Sequence, residues 1–309
     1  MEIIFGLKNI GKIYPHPVIT IGTFDGMHQG HQKIISQVVK RAKNISGTSI
    51  VLTFNPHPQE ILTPAKAPLL LTTLDEKINL FKELKVDLLL IINFTQHLSK
   101  LSPADFVKGI LHNQLKSEEV FIGYNYTFGF KREGDFHLLE QLGKVYGFKV
   151  KVVSPIKVKK RAVSSTLIRE KILAGKVKEA GTYLGHFPSL SGRVISGDKR
   201  GKSLGYPTSN LSIEENKLLP PAGVYAVYIK LDKKVHKGVL NIGFRPTFKG
   251  KRKSVEVHIF NFKEKIYGKC LQIALVKRLR EEKAFARVED LICQIGKDIK
   301  RARRILSRL

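Results

Sequence analysis

Three glycines and two histidines lie close together in Gly22–His31, which reads G-T-F-D-G-M-H-Q-G-H. This stretch follows the apolar run Val18–Ile21 and precedes Gln32–Lys43, whose apolar residues have helical spacing. Backbone N–H groups at such a strand-to-helix turn form a site for phosphate, and histidines can bind or protonate phosphoryl oxygens. In the alternative, Gly26 and Gly30 only shape a turn and the histidines are solvated. The complete H-Q-G-H cluster favours the phosphate site.

Two further segments of the first half could contribute to the same kind of site. Thr53–Pro58 leaves the second predicted strand and holds His57 between two prolines. His57 either belongs to a simple turn or adds a third histidine at the same sheet edge. Gly123–Phe130 leaves the fourth predicted strand and combines flexible backbone, the amide of Asn125 and several aromatic rings. That composition suits a flat heterocycle and equally suits an aromatic-lined core turn.

A run of hydroxyl groups precedes an arginine near the middle of the chain. Ser164, Ser165 and Thr166 either cap a helix or, together with Arg169, bind a triphosphate or pyrophosphate. The second interpretation follows from the guanidinium group, which pairs with phosphate through two parallel hydrogen bonds.

Polar residues of the second half suggest another phosphate site and a metal site. Gly192–Gly201 is basic and glycine-spaced, so it either surrounds phosphates with N–H groups or forms an ordinary hairpin. Thr208 and Asn210 either belong to an ordinary turn or supply hard oxygen ligands two positions apart, which face the same way in an extended segment and could hold Mg²⁺. Glu256 lies on the polar face of an alternating segment, either solvated or as a general base toward a hydroxyl.

Short apolar runs alternate with helical patterns over the first half, which predicts a parallel sheet covered by helices on both sides. The predicted strands are Val18–Ile21, Ile50–Phe54, Asp87–Asn93, Glu119–Gly123 and Phe148–Val153. The predicted helices are one after His31, then Leu74–Leu84, Pro103–Leu115 and Asp135–Tyr146. Ligands bind at the carboxyl ends of strands in such sheets, which is where Gly22–His31 lies.

Strand-like runs replace this alternation after about residue 187 and predict an antiparallel barrel or sandwich. They are Gly192–Ile195, Val224–Leu231, Val235–Ile242, Val255–Phe260 and Leu271–Val276, followed by an amphipathic helix over Arg287–Leu306. We therefore divide the chain into domains of residues 1–186 and 187–309, since both patterns are interrupted near Gly185–Leu190.

The composition is that of a globular protein. The chain has 309 residues, 42% of them hydrophobic, which is enough for two domains with separate cores. Cys270 and Cys293 lack C-x-x-C spacing, which argues against a disulfide framework or a zinc site and favours a reducing cytoplasm. No apolar run approaches the length of a membrane helix, and the N-terminus lacks the pattern of an export signal. We therefore expect a soluble, cytoplasmic protein without a membrane partner.

The formal charge of +28 raises the question of a nucleic-acid partner. The basic residues are nevertheless spread along the whole chain. The densest groups, Lys157–Arg161 and Lys300–Arg304, are short and lack the interleaved aromatic residues that stack on bases. We interpret the charge as a solvated surface that also favours anionic substrates, and we do not expect nucleic acid as a partner.

The motifs of the first half resemble those of bacterial bifunctional riboflavin kinase/FAD synthetases. Gly22–His31 resembles the H-x-G-H motif of nucleotidyltransferases, and the F-N-P-H-P turn, the aromatic loop and the S-S-T-L-I-R segment match further family patterns. Asn125-Tyr126 stands where many members carry Asp-Phe. The resemblance implies a Rossmann-like nucleotidyltransferase domain in which the phosphate of FMN attacks the α-phosphate of ATP and pyrophosphate leaves.

The same resemblance implies roles for individual residues of the first half. His28 and His31 would stabilise the phosphates, Arg169 the leaving group and Mg²⁺ the triphosphate, while Asn125 and Phe128 would bind the flavin. The implied nucleotide-binding residues are Gly22, Thr23, Phe24, Asp25, Gly30, His57, Ser164, Ser165 and Thr166.

The second half resembles the riboflavin kinase module through G-D-K-R-G-K-S-L-G-Y-P-T-S-N at Gly197–Asn210 and E-V-H-I-F at Glu256–Phe260. Asn261 replaces the Asp that usually follows the latter run. The family implies a six-stranded antiparallel β-barrel, with the C-terminal helix beside it, in which ATP phosphorylates the 5′-hydroxyl of riboflavin. The implied roles are Mg²⁺ coordination by Thr208 and Asn210, general base for Glu256, flavin contact for Arg280, and nucleotide contact for Gly197, Lys199 and Gly201.

We therefore predict a bifunctional enzyme that uses ATP and Mg²⁺ to make FMN from riboflavin and FAD from FMN. One alternative is a single-activity enzyme with a decayed module, against which the intact motifs in both halves argue. The other is a basic nucleic-acid-binding protein built on a nucleotidyltransferase scaffold, which a stripe of basic and aromatic residues would favour.

Overall fold

The computed structural model describes residues 1–196, 201, 204–247 and 250–308. The chain forms two compact units, one of Met1–Leu69 and Leu74–Val163, the other of Leu70–Thr73 and Ser164–Leu309. Leu70 groups with the second unit because it exchanges backbone hydrogen bonds with Asn216 and Leu218. The contacts thus separate the units between residues 163 and 164. The division into functional domains after residue 186 stays a prediction.

The first unit is built on a six-stranded parallel sheet of order β1-β4-β3-β2-β5-β6. Its strands are β1 Glu2–Phe5, β2 Val18–Ile21, β3 Ser49–Phe54, β4 Leu88–Ile92, β5 Glu119–Gly123 and β6 Lys149–Val153. The five predicted strands are present, with ends displaced by one residue at most, and β1 is an addition that the sequence analysis missed. Alternate residues of β3 enter different cores, Ile50 and Leu52 on one face and Val51 on the other.

Helices cover both faces of this sheet, as predicted. They are α1 Gln29–Asn44, α2 Pro58–Leu62, α3 Leu74–Glu83, α4 Gln96–Ser99, α5 Pro103–Phe106 and α6 Phe136–Tyr146. The predicted helix over Pro103–Leu115 is divided, because a π-helical segment, Val107–Gln114, continues α5. Its predicted start is confirmed, since the Ser102 hydroxyl accepts the backbone N–H of Asp105 at 3.1 Å. A two-stranded hairpin, β7 Lys157–Val158 and β8 Arg161–Ala162, ends the unit.

The second unit begins with two helices, α7 Ser165–Leu173 and α8 Val177–Leu184, and continues into a closed antiparallel barrel. The barrel strands are β9 Ser189–Ile195, β10 Ser209–Ser212, β11 Gly223–Leu231, β12 Lys234–Thr247, β13 Gly250–Ile259 and β14 Cys270–Glu281. Their order around the barrel is β10-β13-β12-β11-β14-β9, which decides between the barrel and the sandwich.

The C-terminal helix, Val288–Leu306, packs its apolar stripe on the outside of the barrel. Ala302 and Leu306 are buried there against Val224 and Ala226 of β11. Across the described ranges of the chain, no helix is both long and apolar enough to span a bilayer.

Candidate active sites

His28 and His31 lie at the junction of β2 and α1, and their rings stack with centroids 3.6 Å apart and an angle of 17° between planes. The Nδ1 atom of His28 accepts the backbone N–H of His31 at 3.3 Å, so His28 is the N-cap of α1. The helix therefore starts at Gln29 rather than after His31, because the ring nitrogen satisfies an N–H group of the first turn. His31 lies within that first turn.

Gly30 is a position where the backbone must pass close to an aromatic ring. A Cβ atom there would lie 3.1 Å from Cε1 of His28, which is tighter than ordinary contact. Gly22 has the same relation to Phe24, whose ring would lie 3.1 Å from an added Cβ. Both predicted nucleotide-binding glycines therefore allow a ring to fold back over the loop.

The loop between β2 and α1 has an unusual backbone. Phe24 and Met27 have φ angles of +49° and +42°, and Gly26 has +81°. Residues other than glycine rarely adopt positive φ angles, so the surrounding contacts must stabilise Phe24 and Met27 in this conformation. The rings do so in part, since Phe24 contacts His31 edge-on at 5.2 Å and Phe81 of α3 at 5.7 Å.

Burial controls the charge of the two histidines. It lowers the pKa of His28 to about 4 from an ordinary 6.5, and His28 is 7% exposed. The pKa of His31 is well below its ordinary value, first because of burial and then because of the neighbouring His28 and Lys77. Both rings are thus neutral near pH 7. Since Nδ1 of His28 is an acceptor, the neutral ring carries its proton on Nε2, where it can donate to a phosphoryl oxygen.

The carbonyl oxygen of Thr23, also a predicted nucleotide contact, accepts two hydrogen bonds from side chains outside the loop. Thr53 of β3 donates its hydroxyl at 3.3 Å, and Lys77 of α3 donates Nζ at 3.2 Å. Asp25 is buried at 1% exposure, and its negative charge favours the charged form of Lys77. Lys77 was not among the predicted site residues.

His57 is the N-cap of the short helix α2, directly after β3. Its Nδ1 accepts the backbone N–H of Gln59 at 3.2 Å, while the Glu60 carboxylate accepts the N–H of His57 at 3.0 Å. This reciprocal arrangement is a capping box. The structure therefore shows His57 as a helix cap, in line with the interpretation as a turn residue. The nucleotide contact of His57 stays a prediction.

The sheet order brings three of the predicted loops to one edge. β2 lies between β3 and β5, so the loops of His28, His57 and Asn125 follow three adjacent parallel strands. β3 and β5 lie on opposite sides of β2, which makes the gap between β2 and β5 a topological switch point, the usual ligand crevice of such sheets.

In the aromatic loop after β5, Asn125 is exposed and Phe128 is buried. Phe128 packs against Phe106 at 5.8 Å and stacks on Tyr126 at 5.7 Å. It therefore belongs to the core, as expected if this loop is an aromatic-lined core turn. The exposed rings of the loop are Tyr124, with 53% of its surface accessible, and Phe130, with 37%. Flavin contacts of Asn125 and Phe128 stay predictions.

Ser164 and Arg169 lie at the start of the second unit. The Ser164 hydroxyl accepts the backbone N–H of Leu167 at 3.3 Å and thereby caps α7. Ser165 and Thr166 begin that helix, and Arg169 is half-buried one turn later. The capping interpretation is therefore observed, and phosphate contacts of these four residues remain predictions.

Three predicted kinase residues come together on the barrel. The Thr208 hydroxyl donates to the Glu256 carboxylate at 3.2 Å, and Asn210 of β10 lies directly opposite Glu256 of β13. Asn241 of β12 pairs with Glu256 from the other side, so an asparagine flanks the carboxylate on each neighbouring strand. Paired residues share a face, and Val257 on the opposite face lies in the barrel core. The oxygen-rich cluster is therefore on the outside of the barrel.

His258 connects this cluster to the loop before β10. Its Nδ1 lies 2.8 Å from the carbonyl oxygen of Pro207, the residue before Thr208, and its ring meets Tyr206 edge-on at 5.9 Å. Because a carbonyl only accepts, Nδ1 of His258 carries a proton and donates it. Asn241 and His258 have site positions that the sequence analysis did not assign.

Gly201 lies close to the same cluster. A Cβ atom at Gly201 would lie 2.5 Å from the carbonyl oxygen of Tyr206 and 3.0 Å from Oγ1 of Thr208. The predicted nucleotide contacts Gly197 and Lys199 lie outside the described residues.

Arg280, the predicted flavin contact, is held by the C-terminal helix. Its Nε donates to Asp298 at 2.8 Å, Nη1 donates to the carbonyl oxygen of Glu281 at 2.9 Å, and its guanidinium group lies 5.8 Å from the Phe285 ring centroid. Gln294 donates to the second oxygen of Asp298 at 2.9 Å.

Asn261, where the family usually has Asp, accepts Arg303 of the C-terminal helix at 3.0 Å. It has a φ of +54°, a conformation that Asn and Asp tolerate better than most residues. The departure from the family pattern is therefore accommodated by a local turn.

Comparison with known proteins agrees with this arrangement of two sites. The FAD synthetase family model matches residues 12–167, and the riboflavin kinase family model matches residues 184–306. A bifunctional riboflavin kinase/FMN adenylyltransferase of Buchnera aphidicola subsp. Acyrthosiphon pisum (strain APS) is 39% identical over 302 residues, which are 97% of this chain and 96% of that protein. The chain belongs to the bifunctional riboflavin kinase/FMN adenylyltransferase family.

Proteins of the same name from Escherichia coli (strain K12) and Bacillus subtilis (strain 168) are each 34% identical. The alignment with the Escherichia coli protein covers 96% of this chain and 96% of that protein. The alignment with the Bacillus subtilis protein covers 98% of this chain and 99% of that protein. A crystal structure of a macrolide-efflux protein from Streptococcus pneumoniae has a TM-score of 0.88 at 30% identity, over 98% of this chain and 99% of that one. The predicted family and the assignment as an enzyme of two-step FAD synthesis are confirmed.

Proposed function

We propose that the Gly22–His31 loop of the first unit carries out FMN adenylylation, and that Thr208, Asn210 and Glu256 on the barrel carry out riboflavin phosphorylation. The observation that carries this division is the separation of the two sets of residues between two compact units. Each set has its own structural basis, a strand-to-helix turn in one case and paired barrel strands in the other.

The functional domains are proposed to divide after residue 186. The first family match ends at residue 167 and the second begins at residue 184, close to the proposed division. On this proposal Ser164–Thr166 and Arg169 serve the adenylyl transfer, although by their contacts they group with the second unit.

In adenylyl transfer, a phosphate oxygen of FMN attacks the α-phosphorus of ATP, and the bond to the β-phosphate oxygen breaks as pyrophosphate leaves. The Nε2–H of His28, the His31 ring and the N–H groups of the loop stabilise the negative charge on the phosphoryl oxygens. Arg169 is proposed to stabilise the departing pyrophosphate. Catalysis of this kind is mainly positioning and charge stabilisation.

In phosphorylation, the 5′-hydroxyl oxygen of riboflavin attacks the γ-phosphorus of ATP, and ADP leaves. Glu256 accepts the hydroxyl proton as general base. The hydrogen bond from Thr208 holds the carboxylate in position, and Arg280, itself held by Asp298, is proposed to lie beside the flavin.

Mg²⁺ is the proposed cation of both reactions. Thr208 and Asn210 fit it, because they bring a hydroxyl and an amide oxygen together beside Glu256, and these are ligands of the kind that Mg²⁺ accepts. When bound with ATP, the cation would neutralise charge on the phosphates.

We also propose a cytoplasmic location and no nucleic-acid partner. Both cysteines are free thiols at exposed positions, which suits a reducing compartment. The basic segment Lys157–Arg161 lies in the β7–β8 hairpin. In the segment Lys300–Arg304, Arg301 donates to the carbonyl oxygen of Leu279 and Arg303 donates to the side chain of Asn261.

The assignment of the kinase site is tested by Glu256→Gln, with the exposed Glu264→Gln of the same unit as its control. Each protein is incubated with ATP, Mg²⁺ and either riboflavin or FMN, and the flavins are separated by chromatography. We expect Glu256→Gln to make no FMN from riboflavin while still making FAD from added FMN. Unchanged FMN formation in Glu256→Gln, or loss of both activities together, would contradict the proposal.

A further inference from the structure

Lys77 is a lysine in an unusual place. It lies on α3 with 5% of its surface exposed, next to the buried ring of Phe81 one turn later. Lysine is almost never buried without a partner, because removing an ammonium group from water is costly. Burial accordingly lowers the pKa of Lys77. The contacts of Lys77 must therefore compensate the cost of burying its ammonium group.

The contacts of Lys77 all point to the adenylyl-transfer site. Its Nζ donates to the carbonyl oxygen of Thr23 at 3.2 Å. The charges that face it are the carboxylates of Asp25 and Glu60, which favour the ammonium form, and the ring of His31, whose protonation Lys77 disfavours. Asp25 belongs to the phosphate-binding loop, and Glu60 belongs to the capping box of His57.

The loop that Lys77 contacts is the one with the unfavourable backbone. Phe24 and Met27 are in the left-handed region immediately after Thr23. Such a conformation persists only where the surroundings hold it. The carbonyl oxygen of Thr23 anchors the start of this segment, because it accepts hydrogen bonds from both Thr53 and Lys77.

We propose that Lys77 is a positioning residue of adenylyl transfer, whose ammonium group holds the Thr23 carbonyl and so fixes the loop that presents N–H groups to the phosphates of ATP. It acts through the backbone of Thr23 and beside His31. The inference rests on the proposed role of the Gly22–His31 loop and adds to it a residue that lies outside the recognised motifs.

The test compares Lys77→Met, which keeps the length of the side chain but removes its charge and donor, with Lys82→Met at an exposed position of the same helix. In Lys77→Met, kcat/KM for ATP in FMN adenylylation should fall about tenfold or more, because displaced groups lose catalytic geometry. The KM for FMN and the riboflavin kinase activity should stay at wild-type values, and Lys82→Met should retain both activities.

Hydrogen exchange followed by mass spectrometry separates positioning from folding. In Lys77→Met, exchange should quicken in a peptide over residues 22–28 and stay unchanged in peptides over β3 and β4. Wild-type kcat/KM for ATP, or faster exchange throughout the core strands, would overturn the role of Lys77. A His28→Asn variant with full adenylylation would instead overturn the proposed role of the loop itself.

Discussion

The Nδ1 atom of His28 accepts the backbone N–H of His31 at 3.3 Å, so the first histidine of the motif caps the helix that carries the second. In the proposed mechanism, this one bond links helix capping to catalysis. It fixes the neutral His28 ring with its proton on Nε2, the nitrogen left available for a phosphoryl oxygen. The motif is therefore a structural unit in addition to its proposed role in binding phosphate.

Replacing His28 by Asn should separate these two roles. Asn is a good N-cap, so the free energy of unfolding should change little. The Nε2 donor is lost, and kcat for FMN adenylylation should fall by about 100-fold or more, the usual effect of removing a charge-stabilising donor. The measurements are FAD formation from FMN and unfolding in urea.

The control for this variant is His28→Ala, which removes the cap as well. It should lose a further ~1 kcal/mol of stability, since Ala cannot accept the N–H of His31. Equal stability of the Ala and Asn variants would show that the cap contributes nothing.

Gly30→Ala should lower activity although it favours the helix. Alanine in place of glycine stabilises a helix by roughly 1 kcal/mol. The added Cβ would lie 3.1 Å from the His28 ring, so the ring must shift, and FMN adenylylation should fall by about tenfold. The matched variant is Gly109→Ala, where an added Cβ has no neighbouring atom within 4 Å. Equal adenylylation rates in the two variants would argue against the ring contact.

The free energy of unfolding should fall as the pH drops from 7 to 5. The folded-state pKa of His28 is about 4, below its ordinary 6.5, so between these values the unfolded chain binds a proton that the folded chain does not. The stabilisation by neutral His28 is thus complete above pH 6.5, and about 2 kcal/mol of it is lost by pH 5.

Urea unfolding of wild type and His28→Asn at both pH values checks this prediction. The difference between their pH dependences reports the titration of His28 together with its effect on the pKa of the stacked His31. Identical pH dependence in the two would contradict a buried, neutral His28.

His258 should matter for phosphorylation because it holds the carbonyl oxygen of Pro207 at 2.8 Å, next to Thr208. His258→Phe removes that donor and should lower kcat/KM for ATP in riboflavin phosphorylation by about tenfold. His258→Asn, whose amide can donate from nearly the same place as Nδ1, should recover part of the loss. Adenylylation should be unaffected by either change. Equal kinase activity in Phe and Asn variants would show that the Pro207 bond is unimportant.

The sequence predicted the strands well because their signal is local. Leu88–Ile92 is a continuous apolar run buried on both faces, and strict alternation around Glu256 gave its face on the barrel. The start of α1 was placed too late, since histidine is not among the common capping residues. The π-helical segment after α5 has no pattern that distinguishes it from an α-helix.

Residues placed by tertiary contacts could not be found in the same way. Lys77 lies at helical spacing from the apolar residues Leu74, Phe81 and Leu84, but a lysine in such a position does not reveal its partner. That partner, Thr23, is 54 residues away. Asn241 joins the kinase cluster because the hairpin of β12 and β13 pairs in the register that sets it opposite Glu256, and that register was not predicted. Phe128 shows the opposite case, an aromatic residue of a predicted ligand loop that packs into the core.

Mixing two variants shows whether the two sites on one chain work independently. Glu256→Gln should make FAD from FMN but no FMN from riboflavin, and His28→Asn should make FMN from riboflavin but very little FAD. Supplied with riboflavin, ATP and Mg²⁺, the mixture should form FAD, because FMN released by one protein is adenylylated by the other. A mixture that forms no more FAD than either variant alone would contradict the account.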